Sequence, residues 1–330
     1  MIRRIAVVAA ALLVAAGCGS NSAEPSGDNA TIRVAHVPSP LFAPLYVAQA
    51  KGYFKDAGID VELEAVKSGQ DAIPLAASGK LDVIVAGFSA GMFSALNSGL
   101  EFDVVGSMGV SSGDPDDSPT ALEVSKTASG VDDIAGLKGK KIAVGGGAGS
   151  AGGYLLDSVL RRQGLSLKDV KPVNLSNPDM EAALKGGSVD AALTSAPFST
   201  SIEENNVGTP LGVPAKGTFA TGVIFGGDFT KSPRAQKFFD ALVKASLDLQ
   251  EDPSENDEIV DIVAKATQQD TAVLKSSPPY TWNQNLAPTA SQLEAMQKSW
   301  LDADLLPYAK AIKSSSYLDD SFSKAARDGS

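Results

Sequence analysis

Hydrophobic positions fall into short strand-like runs separated by helix-like stripes, and the alternation continues through two-thirds of the chain. Residues 32–36 read as a strand, followed by the loop Val37-Pro38-Ser39-Pro40-Leu41-Phe42. A helix is predicted from near Pro44, a residue suited to a first turn, to just before Gly58. Ile59, Val61, Leu63 and Ala65 alternate with Asp60, Glu62 and Glu64, the pattern of a strand with one wet face. Ser68-Gly69-Gln70 opens a helix that stops at Gly79, and 83–86 is a continuous apolar strand of the kind buried in a parallel sheet. Phe88-Ser89 leads into a helix closed by Gly99, and 102–107 is a further strand running to Met108 and Gly109. Residues 142–144 then form a strand, 154–162 a helix with Leu155, Leu156, Val159 and Leu160 on its apolar stripe, and 170–175 another strand. Strand–helix alternation of this kind predicts an α/β layered architecture.

The pattern repeats internally. Gly79-x-x-Asp82 precedes one buried strand and Gly187-x-x-Asp190 precedes another at 191–194. Aligning Val34 with Ile142, or Asp82 with Asp190, gives the same displacement along the chain. Two similar α/β lobes are therefore expected, 31–121 with 222–330 as one and 122–221 as the other. The acidic loop 111–119 lies between them as a solvated connection. Its Asp114, Asp116 and Asp117 lack the spacing and terminal Glu of a calcium loop. After a strand at 219–225 the chain turns helical, with helices expected at 254–266 and 289–303. The last opens on a Thr289-x-x-Gln292 capping box and carries Met296 and Trp300 as core residues. The helical tail is expected to pack back on the first lobe.

Composition narrows the function. A chain of 330 residues with 43% hydrophobic and 20% charged residues is a soluble globular protein of one large or two ordinary domains. A net charge of −11 argues against nucleic acid or an anionic membrane surface as partner. The single histidine, His36, falls in a predicted strand, so Ser-His-Asp catalysis has no basis, and no cluster has zinc-ligand spacing. No metal and no cofactor are expected.

The single cysteine is informative by position. Arg3 and Arg4, an apolar run at 5–14 and Ala15-Ala16-Gly17-Cys18 resemble a bacterial lipoprotein signal, which implies cleavage before Cys18 and lipidation of its thiol. An ordinary secretory signal is the alternative, and the apolar run is too short to span a bilayer. Removal of 1–17 takes two positive charges with it and leaves −13. Residues 18–30 then form a small, polar, flexible tether.

The densest chemical signal is KKIAVGGGAGSAGGYLLDSVL at 140–160. A strand that turns through glycine into a helix aims free backbone N–H groups and the positive end of the helix dipole at one point. That point suits an anion or the acceptor end of a polar ligand; a glycine-rich turn with no ligand is the alternative. Gly147-x-Gly149-x-x-Gly152 also fits the dinucleotide fingerprint, which requires an acidic residue at the end of the next strand. Asn174, Ser176 and Asn177 stand there instead, which weakens the reading of a Rossmann-type NAD-dependent enzyme. No lysine follows the glycines, so a phosphate-cradling loop is absent.

At this point the chain resembles a known family. PLYVAQAKGYFKDAGIDVEL (44–63), GKLDVIVAG (79–87), LKGKKIAVGGGAGSAGGYLLDSVLRRQGL (137–165) and DMEAALKGGSVDAALTSAPF (179–198) look like ABC-transporter substrate-binding proteins. The branch is the NMT1-like one that includes alkanesulfonate, taurine, nitrate and thiamin-pyrimidine binders. The resemblance implies the type II periplasmic-binding-protein fold, two α/β lobes joined by two crossings with a ligand cleft between them. It implies an extracytoplasmic component of an ABC importer, anchored by lipid to the outer face of the cytoplasmic membrane. Such a component captures a small organic solute, whether a sulfonate, a nitrate-like anion, a pyrimidine or an aromatic acid. The implied partners are a permease and its ATPase subunit. Pyrimidine synthases of the same branch consume an active-site histidine and use a cysteine-rich segment; this chain has no second cysteine. A solute-sensing surface lipoprotein is the remaining alternative.

Independently of that name, ligands of open α/β sheets sit beyond the carboxyl ends of the strands. Those ends offer Ser39, Phe42, Gln70, Phe88, Ser89, Gly109, Gly149, Ser150, Ala151, Ser195 and Phe198, but no Arg, Lys or His. Backbone N–H groups of Gly149, Ser150 and Ala151 are expected to hold the polar or anionic end of the ligand. Phe42, Phe88 or Phe198 would cover its apolar part, and Ser39, Gln70, Ser89 and Ser195 would orient it.

Overall fold

The computed structural model describes residues 30–328, so the expected signal, Cys18 and most of the tether lie outside it. The first strand-helix series runs β1 (Ile32–His36), α1 (Ala43–Ala50), α2 (Tyr53–Asp56), β2 (Val61–Ala65), α3 (Gly69–Ala77), β3 (Val83–Gly87), α4 (Ala90–Asn97) and β4 (Phe102–Met108). The helix expected from Pro44 to Gly58 is two helices, because Gly52 takes a left-handed φ of 78° between them. The second series runs β5 (Thr120–Ser125), β6 (Lys141–Val144), α5 (Ala151–Arg161), β7 (Lys171–Asn174), α6 (Asn177–Lys185), β8 (Ala191–Ser195), α7 (Phe198–Glu204) and β9 (Gly208–Gly212). The remainder is β10 (Thr221–Gly226), α8 (Gly227–Thr230), α9 (Pro233–Leu247), α10 (Asp257–Thr267), α11 (Thr271–Ser276), α12 (Ala290–Asp302) and α13 (Ser321–Asp328).

These strands form two five-stranded sheets of the same design, β2-β1-β3-β10-β4 and β7-β6-β8-β5-β9. In the first, β1 runs parallel to β2 and β3, and β10 runs antiparallel to β3 and β4. In the second, β6 runs parallel to β7 and β8, and β5 runs antiparallel to β8 and β9. The repeat seen in the sequence is exact in register: Val34 faces Val83 as Ile142 faces Ala191. Its two aspartates share one role. Asp82 Oδ2 accepts the Arg33 N–H at 2.8 Å, and Asp190 Oδ2 accepts the Lys141 N–H at 2.8 Å. Each carboxylate thus satisfies a backbone donor at the open start of the parallel ladder.

Apolar faces cover both sides of each sheet. Phe225, Phe238 and Phe54 lie in one core of the first lobe, where Phe54 and Phe238 stack at 4.9 Å. Phe93, Trp300 and Tyr317 lie in the core on the opposite side. In the second lobe, Leu156 and Leu160 of α5 pack on one face and Met180, Leu184 and Ile202 on the other. Two strands of the second sheet carry no legible period: β5 is buried throughout, with Glu123 interrupting its apolar run, and β9 is an edge strand holding Pro210.

Two crossings join the sheets, 109–119 and 213–220, and they run side by side. Ser111 donates its N–H to the Thr218 carbonyl at 2.9 Å, and Gly217 donates to the Ser111 carbonyl at 2.8 Å. Gly113 sits so close to Lys216 that a Cβ there would meet the Lys216 backbone nitrogen at 2.5 Å. The predicted capping box at the start of α12 is replaced by this junction. Thr289 makes no side-chain cap bond, while Gln292 donates to Gly217 O at 2.8 Å and accepts from Phe219 N at 2.9 Å. The α12 helix also reaches the second sheet's helix. Ser299 donates to the buried Asp157 at 2.7 Å, Arg161 pairs with Asp302 at 2.9 Å, and Trp300 Nε1 donates to Ala148 O at 3.1 Å. Among the described residues no helix is long and apolar enough to cross a membrane.

Candidate functional site

A cavity of about 300 Å³ lies where the carboxyl ends of β1, β3, β6 and β8 converge. Its apolar wall includes Val37, Leu41, Phe42, Leu155, Leu193 and Phe198. Its polar groups come from Ser39, Thr120, Asn177, Ser195, Gln269 and Tyr280, with Thr221 beside them. No charged side chain lines it. A cavity of this size with apolar walls and a few converging polar groups is the form of a small-molecule site.

The glycine-rich turn enters this cavity one residue later than the sequence suggests. Ser150 is the N-cap of α5: its Oγ lies 2.6 Å from Gly145 O and 2.7 Å from Gly147 O, and accepts the Gly153 N–H at 3.2 Å. The Ser150 N–H is bonded to Gly147 O at 3.2 Å, so it is not free for a ligand. Gly149 gives its carbonyl to the Ala90 N–H at 2.8 Å, a direct bond between the glycine loop and the start of α4. Ala151 and Gly152 line the cavity instead. As the first two residues of α5 they have no intrahelical acceptor for their N–H groups. Gly87 makes room for this approach, since a Cβ there would lie 2.9 Å from the Ala151 methyl.

Of the residues expected at the site, Ser39, Phe42, Ala151, Ser195 and Phe198 line the cavity. Gln70, Phe88, Ser89, Gly109, Gly149 and Ser150 do not. Gln70 is exposed on α3 and lies over Gly91, where a Cβ would meet its Cδ at 2.6 Å. Phe88 is fully buried, edge-on to Phe219 at 6.3 Å. Ser89 is the N-cap of α4 and accepts the Met92 N–H at 3.2 Å. Gly109 lies under Leu41 and lines a smaller cavity of about 30 Å³, which shares Leu41, Thr120, Leu155, Thr221 and Tyr280 with the main one. Among the described residues no group of three or more His, Cys, Asp or Glu is placed to hold a metal ion, the acidic loop included.

Sequence reasoning missed Thr120, Asn177, Gln269 and Tyr280. Asn177 had a signal, as the residue where the strand end turns into α6. Thr120 sits in β5, read in sequence as the edge of a linking loop, and its Oγ1 lies 3.0 Å from Ser195 Oγ. Tyr280 comes from the loop after α11; its hydroxyl donates to Ala196 O at 3.4 Å, and burial pushes it up to about 12, so it stays protonated. Gln269 follows Gln268, whose φ of 58° ends α10 and turns the chain inward. The Gln269 Oε1 atom is buried with no hydrogen-bond partner among the described residues. His36 does not line the cavity. Its Nδ1 lies 3.1 Å from Tyr46 Oη, and burial lowers its pKa, which keeps the ring neutral.

The family profile described as "NMT1/THI5 like" matches residues 39–256, and the chain belongs to that family. The chain is 31% identical over 200 residues to the putative aliphatic sulfonates-binding protein of Bacillus subtilis, covering 58% of this chain and 56% of that one. It is 31% identical over 157 residues to 4-amino-5-hydroxymethyl-2-methylpyrimidine phosphate synthase of Aspergillus parasiticus, covering 47% and 42%. The chain thus spans about half the length of the curated relatives it matches. The periplasmic nitrate-binding protein NrtA of Synechocystis PCC 6803 superposes with a TM-score of 0.71 at 14% identity, over 92% of this chain and 89% of that one. That likeness establishes the fold, two α/β lobes of the type II periplasmic-binding-protein kind.

Proposed function

We propose that the protein is the extracytoplasmic solute-binding component of an ABC importer, capturing a small organic solute and handing it to a membrane permease. The observation that carries this reading is the uncharged cavity of about 300 Å³ walled by both sheets' loops. The lobes, about 31–121 with 222–330 and about 122–221, close on the solute by rotating about the paired crossings. The sulfonate-binding relative and the nitrate-binding neighbour support solute capture. The synthase relatives would favour chemistry, but His36 is buried 6% exposed beside Tyr46 and outside the cavity, which favours binding without reaction.

Thermal shift across a solute library tests the reading. A true ligand at 100 times its Kd stabilises the folded state by about 2.7 kcal/mol, and scattering should report a more compact particle on binding. A library that shifts nothing, with no compaction, would sink it.

The second element of the proposal is the anchor. Cys18 follows a short apolar run and precedes a polar tether, so Cys18→Ser is expected to move the protein from the membrane to the soluble fraction. Retention of the variant in the membrane would refute lipidation.

A further inference from the structure

The cavity does not end at its polar groups. A second, smaller cavity of about 60 Å³ adjoins it, and Pro40, Ala196 and Tyr280 line both. This annex lies under α10 and α11 and is walled by Pro197, Pro253, Val260, Val263, Pro279 and Trp282. Ser254 and Ser277 supply its only side-chain hydroxyls besides Tyr280, and no charged side chain lines it. Ser277 accepts a hydrogen bond from Thr200 of α7 at 3.3 Å and donates to Val273 O at 2.8 Å, so its hydroxyl is engaged within the wall.

Three features of the two adjoining cavities bear on what fills them. No cation faces either part, so a buried anion would lose hydration with only hydroxyls and the α5 terminus in return. Ala151 and Gly152 present donors, which call for an acceptor on the ligand. Gln269 lines the cleft with an uncharged amide whose Oε1 is buried without a partner, a group that can both accept from and donate to an uncharged polar head.

We propose that the cleft and the annex are one site for an uncharged solute, with a compact head that both accepts and donates hydrogen bonds and a short apolar substituent. A primary carboxamide or sulfonamide has the head required, and a few methylene groups fill the annex. This inference deepens the solute-binding reading above and rests on it.

Calorimetry on the full chain with matched pairs tests it: pentanamide against pentanoate, and butane-1-sulfonamide against butane-1-sulfonate, at pH 7. The neutral member of each pair is expected to bind at least about tenfold more tightly. Along acetamide, butanamide, pentanamide and hexanamide, affinity should rise about fourfold per methylene until the annex is full. Ser254→Trp, which fills the annex from its rim, should abolish that rise, and Gln269→Leu should weaken the amide more than the carboxylate and so narrow the preference between them. Tighter binding of the charged members, or affinities flat with chain length in the unaltered protein, would overturn the inference and leave solute binding standing. If no member of any pair binds and the wider library shifts nothing, solute binding itself falls, and the inference with it.

Discussion

Gly153→Ala is expected to unfold the glycine loop locally and abolish most solute binding, while Gly149→Ala, four residues earlier, is expected to be mild. A Cβ at Gly153 would lie 2.1 Å from Ala148 O and 2.5 Å from Ala148 C, both backbone atoms that cannot swing aside. At Gly149 the added methyl meets only the Ala90 methyl, at 3.4 Å. Overpacking against backbone costs about 1–3 kcal/mol or more. Here the displaced carbonyl is also the acceptor of the Trp300 indole, so relief at one point breaks a bond at another. The shift carries Ala151 and Gly152 with it, and each 1.4 kcal/mol of lost contact weakens affinity about tenfold. Thermal denaturation and calorimetry on the two variants check this. Equal melting temperatures would show that the loop is softer than its packing indicates.

The second large effect concerns Glu123. This residue sits in the middle of β5, fully buried, and among the described residues no backbone or neutral side-chain donor reaches either carboxylate oxygen; the polar group beside it is the Glu203 carboxylate, which can accept a hydrogen bond only from the protonated form of Glu123. Glu123 faces Ala192 across the ladder, and Thr194, whose hydroxyl is also unpartnered, lies opposite Ala121 on the same face. Burial, and after it the nearby Glu203 carboxylate on α7, push the Glu123 carboxyl from an ordinary 4.5 up to about 8. Between those values the folded chain holds a proton that the unfolded chain has released, so stability falls as pH rises through the window. The contribution is fully present below about 4.5 and lost above about 8. The melting temperature is therefore expected to decline from pH 5 to pH 9. Glu123→Gln, which keeps the shape and removes the titration, should flatten the decline and stabilise the protein at pH 9 by roughly 2–4 kcal/mol. A variant with the same slope as the parent would place the charge elsewhere.

The inner strands β1, β3 and β8 were legible because they are largely buried and read as apolar runs, the edge strand β2 because its polar residues alternate, and the shared displacement of Asp82 and Asp190 reported a real equivalence of position. Strand ends then pointed to Ser39, Phe42, Ala151, Ser195 and Phe198, which do face the cavity. Phe88 shows why the same logic fails elsewhere. It ends a strand as a cleft aromatic would, yet Gly222 on a strand far along the chain opens a slot for it. A Cβ at Gly222 would meet the Phe88 ring at 2.4 Å. Nothing near residue 88 announces that slot. Gln269 and Tyr280 were illegible for the complementary reason: they are brought to the cavity by the packing of α10 and α11, not by a local pattern. The Ser150 N–H, expected at the ligand, is bonded to Gly147 O while the hydroxyl caps α5, partners that the glycine spacing alone does not announce.

The reach of α12 onto α5 bears on how such proteins can be recombined. A designer who transplants residues 120–212 of this chain into a relative to carry its solute preference across would cut at the two crossings, where the chain passes between sheets. The imported α5 would then arrive without the Ser299 hydroxyl that satisfies Asp157, the Asp302 carboxylate that pairs with Arg161, or the indole that holds Ala148. Asp157 is 1% exposed and would lose one of its hydrogen-bond donors in the interior. The heritable unit of specificity is therefore the middle of the chain together with 290–304, and chimeras that respect only the crossings should express poorly.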